Sequence, residues 1–140
     1  MEEVRVEMQR FFEEYERHAN SDDAGEIVSQ FADAFMTADA AGCRVVSTAD
    51  LVAGLAKRKQ MFDGVGSRST SLVSLETREL SDRYVLAETE WLVRFEREEA
   101  GEIALRSSFV VHRSERGPRI VFYLMHQNPV SVLKERGLLG

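Results

Sequence analysis

Asp39 sits near the end of SQFADAFMTADAAG (Ser29–Gly42), where a short strand runs out beside two alanines and a glycine. Asp in such company is ordinary turn chemistry, and a carboxylate at a strand end is also a group placed to move a proton. Tyr15 lies on the apolar stripe of its helix and points inward, as a core tyrosine or as a hydroxyl facing a pocket. Thr89, Ser107 and His126 interrupt apolar rows on the strands, and a buried polar group needs a partner. His126, just before Asn128-Pro129, reads as a proton carrier or pocket hydrogen-bonder, or as a rim or core histidine. Trp91 and Phe109 line the core or an inner pocket, where large rings favour an apolar ligand.

Other reactive side chains have plainer readings. His112 falls on the opposite face and His18 near a helix end, so both are expected in solvent or at an interface. No two of the three histidines have a metal-ligand spacing on one element, and no metal or cofactor is expected. Cys43 is the lone cysteine, which excludes an intrachain disulfide and suits a reducing cytoplasm; it is expected as a small buried or half-buried filler. Lys57, Arg58 and Lys59 form a short basic run on a helix and read as a solvated face. The chain has no GxGxxG, P-loop or nucleophile elbow.

The elements that must hold these residues follow from periodicity. Val4, Met8, Phe11 and Tyr15 step by four, three and four, one face of a helix. Ser21 or Asp22 caps a second helix with Ala24, Ile27, Val28, Phe31 and Phe35 on its face. Phe35–Thr37 and Cys43–Val46 read as short strands around an Ala38–Gly42 turn. Thr48 reads as the cap of a third helix marked by Leu51, Leu55 and Phe62 and ended by Gly64 and Gly66. The period then changes to two. Ser69–Leu80, Arg83–Glu98, Glu102–Arg113 and Arg119–Asn128 read as long strands joined by the short connections Ser81-Asp82, Glu99–Gly101 and Ser114–Pro118, an antiparallel meander. A last short helix is expected at Val130–Arg136.

Alternation assigns the faces. Val85, Ala87, Thr89, Trp91, Val93 and Phe95 point inward on one strand, and Ile103, Leu105, Ser107, Phe109 and Val111 on the next. On the last strand Ile120, Phe122, Leu124 and His126 are expected inward. Tyr84, Leu86 and Leu92 mix with Glu88, Glu90 and Arg94 on the outer face, which suits a wet homodimer interface.

At 140 residues the chain fits one domain, 1–140, able to bury roughly 70% of its unfolded surface. Its 44% hydrophobic and 30% charged residues are those of an ordinary globular protein. A net charge of −6 without a basic stripe disfavours nucleic acid and anionic membrane surfaces as partners. The charged N-terminal MEEVRVEMQRFFEEYER is no signal segment, and the longest apolar run, Ile120–Met125, is far too short to span a bilayer.

Helices followed by a curled antiparallel sheet make an α+β domain. The order of elements, with YERHANSDDAGEIVSQFADAFMTADAAGCRVVSTADL (Tyr15–Leu51) and the ending SSFVVHRSERGPRIVFYLMHQNP, resembles the NTF2-like superfamily and its SnoaL-like and DUF4440-like branches. The resemblance implies a cone: a curved, mainly antiparallel sheet wrapped around three N-terminal helices. It covers nearly the whole chain and carries architecture rather than activity. A more distant likeness to ketosteroid isomerase, over NSDDAGEIVSQFAD, lays that enzyme's oxyanion-stabilising tyrosine on Tyr15 and its general-base aspartate on Asp39. The position of its neutral acid falls on Ser107, a weaker donor. The resemblance therefore implies a pocket for a small apolar or carbonyl-containing ligand, with cofactor-independent proton transfer by Tyr15 and Asp39 and orientation by Ser107 and His126. The competing expectation is a non-catalytic module that dimerises through the outer sheet face.

Overall fold

The computed structural model of the protein describes residues 2–21, 24–64, 67–95 and 101–127, with 132, 134 and 135 beyond them; the side chains of 2, 24–25, 59, 61–64 and 67–68 are not described. The elements run α1 (Glu2–Ala19), α2 (Ala24–Val28), β1 (Phe31–Asp39), β2 (Gly42–Ser47), α3 (Thr48–Gly64), β3 (Ser67–Glu79), β4 (Tyr84–Phe95), β5 (Glu102–Ser114) and β6 (Gly117–Met125). The strands form one sheet in the order β2-β1-β6-β5-β4-β3. β3 to β6 are the expected antiparallel meander. β1 returns beside β6 in parallel, and β2 pairs antiparallel with β1 at the edge. The sheet is curved and unclosed, and the helices pack on its concave face. Among the described residues no helix is long and apolar enough to cross a membrane.

The α1 stripe behaves as its spacing requires. Val4, Met8, Phe11 and Tyr15 are buried, and Phe12 joins them. All the residues expected inward on β4 and β5 are buried, while Glu88 and Arg94 face solvent.

Several expectations are corrected. Phe31 and Phe35 belong to β1, not to the second helix, which ends at Val28. A spacing of four fits a helical face, and, being even, it fits one face of a strand equally well. Ser47, not Thr48, caps α3: its hydroxyl accepts the Asp50 N–H at 3.3 Å, while the Asp50 carboxylate accepts the Ser47 N–H at 3.5 Å. This is a capping box with Asp in the place of Glu. Thr48 instead donates its hydroxyl to the Asp33 carbonyl at 3.3 Å.

The third correction concerns β6. Val111 pairs with Ile120 but Val110 pairs with Phe122, so Val121 is an extra residue, a β-bulge. The inward face therefore passes from Ile120 to Tyr123 and Met125, which lie opposite Phe109 and Ser107. Phe122 and Leu124 turn outward, opposite Val110 and Ser108, and His126 goes with them. Finally, Cys43 is exposed rather than a filler, because β2 is an edge strand on which only Val46 is buried. The expected helix at Val130–Arg136 falls mostly outside the described residues, as do Asp22, Gly66 and the Glu96–Glu98 end of the second long strand.

Polar side chains tie the helices to the sheet. Gln30 is buried; its amide donates to the Phe11 carbonyl at 2.8 Å and its backbone carbonyl accepts the Ile120 N–H at 2.8 Å. That arrangement leaves its side-chain oxygen to accept from His18 Nδ1 at 3.0 Å, so His18 is enclosed rather than solvated. Phe12, fully buried and edge-on to Phe11, meets Phe109 of β5 with ring centroids 5.0 Å apart. Phe12→Ala is expected to lower the unfolding free energy by about 3–5 kcal/mol, the usual cost of emptying an aromatic core site. Urea denaturation checks it.

Candidate functional site on the concave face

The concave face is lined by rings. Tyr15 from α1 lies 5.5 Å from Trp91 of β4, 5.5 Å from Phe109 of β5, 6.0 Å from Phe12 and 6.2 Å from Phe31 of β1, centroid to centroid. These offset and tilted pairs are the arrangements aromatic quadrupoles favour. Trp91 is held from behind. Its indole N–H donates to the Thr89 hydroxyl at 2.7 Å, and that hydroxyl donates to the Ser107 carbonyl at 3.1 Å. Thr89 thus serves to orient Trp91, and the rings around Tyr15 fill this part of the face.

Toward β6 the lining becomes polar. Tyr123 stacks on Phe109 at 4.7 Å, and Arg58 Nη1 of α3 donates to the Tyr123 hydroxyl at 3.3 Å. Arg58 is half-buried, not on a solvated face. Burial lifts the Tyr15 phenol well above the ordinary tyrosine range; the nearby Tyr123 oxygen adds to this and the Arg58 charge offsets part of it. Burial opposes the Arg58 charge, but the Tyr123 oxygen, through charge and hydrogen bond, and Tyr15 outweigh it and hold Arg58 above its usual value. Tyr15, Tyr123 and Arg58 therefore act on one another as a single cluster. Tyr15 stays a protonated hydrogen-bond donor at any physiological pH.

Asp39 ends β1 on the face shared by Phe35 and Thr37, and Thr37 is the β1 neighbour of Tyr123. One strand across and two residues along places the Asp39 and Tyr123 Cα atoms about 8 Å apart by strand geometry. Asp39 is half-buried, and its Oδ1 accepts the Ala41 N–H at 2.8 Å, so it does form the turn. Ala40 and Ala41 make a two-residue hairpin closed by the Asp39–Gly42 pair, with Gly42 at φ 146°.

The candidates of the sequence are thus only partly brought together. Tyr15, Trp91, Phe109 and Ser107 share the inner face, and Asp39 lies at its rim. His126 does not join them: on the outer face its Nε2 lies 2.8 Å from the Ser108 hydroxyl. Arg58 and Tyr123 are the residues that sequence reasoning missed. Leu51, Leu55, Arg58 and Phe62 step by four, three and four, the same rhythm that marks the α1 stripe, and that spacing was the available signal for Arg58. Nothing in the alternation reveals Tyr123, because the Val121 bulge inverts it.

A curved antiparallel sheet over helices with an aromatic concave face is the NTF2-like architecture. The chain matches the family described as NTF2-like protein (DUF6841) over residues 2–128 and belongs to it. Solved structures agree on the fold. Aln2 from a Streptomyces species superposes with a TM-score of 0.74 at 17% identity, over 94% of this chain and 96% of that one. An NTF2-like protein of unknown function from Pseudomonas putida gives 0.75 at 14% identity, over 91% and 89%. A Catenulispora acidiphila structure in complex with S-DNPA gives 0.73 at 14% identity, over 94% and 98%. No curated protein matches the chain.

The Tyr15 environment has a measurable consequence. Below about pH 10 an unfolded tyrosine is protonated, as is folded Tyr15, so this group leaves stability independent of pH. Above that, the unfolded chain loses the proton that folded Tyr15 keeps, and stability falls as pH rises. In an alkaline titration, part of the phenolate absorbance of wild type is expected to appear only with unfolding. Tyr15→Phe is expected to lack that component.

Proposed function

We propose that this protein binds a small, largely apolar molecule bearing a carbonyl or ionised oxygen on its concave face. The observation that carries the reading is the Arg58–Tyr123–Tyr15 cluster beside Phe109 and Trp91. Tyr123, half-buried and stacked on the buried Phe109, offers an apolar wall for a flat or hydrocarbon body at the edge of the packed rings. Tyr123 accepts from Arg58, which polarises its own O–H toward a ligand oxygen, and Tyr15 supplies a second phenol. A protein of similar fold solved in complex with S-DNPA supports a ligand-holding role for this fold.

If the domain turns its ligand over, the chemistry that fits is cofactor-independent proton transfer, as in an isomerase or a lyase. Asp39 is the proton-moving group and the phenols stabilise the oxygen on which charge develops. Tyr123 takes the second oxyanion position that Ser107 fills weakly. Ser107 shapes the wall, and a cytoplasmic location belongs to the same reading.

Trp91 is the only tryptophan and touches Tyr15, so its fluorescence reports ligand entry. Titration with a panel of aromatic ketones and carboxylates is expected to quench or shift it saturably. Arg58→Met and Tyr123→Phe are each expected to weaken binding about tenfold, the loss of one hydrogen bond to a charged or polarised group. Asp39→Asn is expected to leave binding intact and to abolish turnover of any compound consumed. Binding unchanged in both Arg58→Met and Tyr123→Phe overturns the site, and unchanged turnover in Asp39→Asn overturns the proton-transfer step.

A second reading, a non-catalytic module that dimerises through the outer sheet face, has one specific observation behind it. Leu86, Val110, Phe122, Met36 and Val45 are successive cross-strand partners from β4 to β2, an apolar rung across five strands. Met36 and Val45 are 41% and 69% exposed. A second copy seated there would cover them. Met36→Lys with Val45→Lys, both at exposed positions, is expected to halve the mass seen by light scattering; a wild-type monomer rejects the reading.

A further inference from the structure

β3 is an edge strand of 13 residues, and its free edge is treated differently along its length. In the N-terminal half, α1 side chains stand in for a partner strand. Asn20 donates to the Thr70 carbonyl at 2.8 Å and accepts the Thr70 N–H at 2.8 Å, and Glu16 accepts the Leu72 N–H at 2.6 Å. These contacts show that the main-chain groups of Thr70 and Leu72 point away from β4. Val73 is an extra residue, since Leu72 pairs with Trp91 and Ser74 with Glu90. Beyond this bulge the same outward orientation falls on Leu75, Thr77 and Glu79. Consistently, the Leu80 N–H points back and bonds the Tyr84 carbonyl at 2.9 Å. Among the described residues nothing covers the outward groups of Leu75, Thr77 and Glu79.

We propose that this open half-edge, Leu75–Glu79, pairs antiparallel with the same segment of a second copy of this chain, about a two-fold axis at Thr77. The register follows from parity and charge. A two-fold on Glu76 or on Arg78 would set like charges directly opposite each other, whereas Thr77 is the central one of the three residues whose N–H and C=O face outward. Thr77 then exchanges bonds with Thr77 of the second copy, and Leu75 with its Glu79. Between them Glu76 stands opposite Arg78 of the second copy, and Arg78 opposite its Glu76. Both side chains are exposed, so the pairing is self-complementary in charge.

Val73 and Leu80, 52% and 53% exposed, bracket the segment, and the same register sets Leu80 of each copy beside Ser74 and Val73 of the other. Asn20 and Glu16 block pairing N-terminal to the bulge and so fix its extent. A span this short makes a weak, concentration-dependent dimer. This interface is separate from the outer face and does not depend on it.

Sedimentation equilibrium up to about 1 mM protein, the weak end of specific association, reads the equilibrium. Thr77→Pro removes an N–H that the β4 ladder does not use, and is expected to abolish the association step. Glu76→Arg sets like charges opposite each other at two symmetric positions and is expected to weaken it about tenfold or more. The double charge swap Glu76→Arg with Arg78→Glu is expected to restore it. Hydrogen exchange at Leu75, Thr77 and Glu79 is expected to slow with rising wild-type concentration and not in Thr77→Pro.

Should the outer face also associate, the step lost in Thr77→Pro persists in the Met36→Lys, Val45→Lys variant. The proposal is overturned if no concentration-dependent step exists, or if the step survives both Thr77→Pro and Glu76→Arg. Failure of the charge swap to restore Glu76→Arg overturns the register.

Discussion

The ring of Tyr15 is where the domain is joined. Its neighbours come from four elements: Phe12 from α1, Phe31 from β1, Trp91 from β4 and Phe109 from β5. β1 and β4 are three places apart in the sheet order, so no flat sheet brings both to one side chain. The sheet must curl around α1 for the contacts to form. Each aromatic pair contributes about 0.5–1.5 kcal/mol beyond its area. Curvature of the sheet and burial of this tyrosine are therefore one event. The same burial that assembles the core keeps the phenol protonated, so the packing and the protonation of Tyr15 have one cause.

The curl needs relief at specific places, and the bulges supply it. Val121 on β6 and Val73 on β3 each insert a residue where a strand has to bend. Their consequences are chemical as well as geometric. The first delivers Tyr123 to the inner face, next to Phe109 and within reach of Arg58. The second separates the part of β3 that α1 covers from the part it leaves open. The irregularity in the parallel β1–β6 pair, between Phe31 and Met36, has its own fastening. There the Gln30 carbonyl takes the Ile120 N–H, and the Gln30 amide anchors α1 at Phe11.

What the sequence revealed and what it hid follow from these same devices. The β4 and β5 rows were legible because alternation over nine or more residues has no helical reading. Phe31 was not, and Phe35 was read both on a helix face and at the start of a strand, since a spacing of four is degenerate between the two periods. The faces of β6 were legible as far as Ile120 and reversed beyond it, because a bulge has no side-chain signature in Val-Phe-Tyr. Arg58 was hidden by its flanking lysines, which made a run of three like charges look like a single solvated patch. Long side chains carry their charge well away from the backbone, so on a helix the position of the Cβ, rather than the charge, decides what such a residue reaches.

Asp39 illustrates a choice that geometry dissolves. Turn chemistry and acid–base chemistry looked like rival accounts of one residue. The Ala41 N–H occupies Oδ1, which holds the carboxylate in a fixed orientation at the hairpin end, on the face that carries Thr37 and its neighbour Tyr123. A base needs such restraint, because proton transfer is governed first by where the oxygen is held. The turn can therefore be the means by which a carboxylate is presented at the rim of the concave face. The phenol nearest to it along the sheet is Tyr123, not the Tyr15 of the ketosteroid isomerase likeness. The proposed chemistry therefore draws on β1, β6 and α3, with the buried Tyr15 behind them.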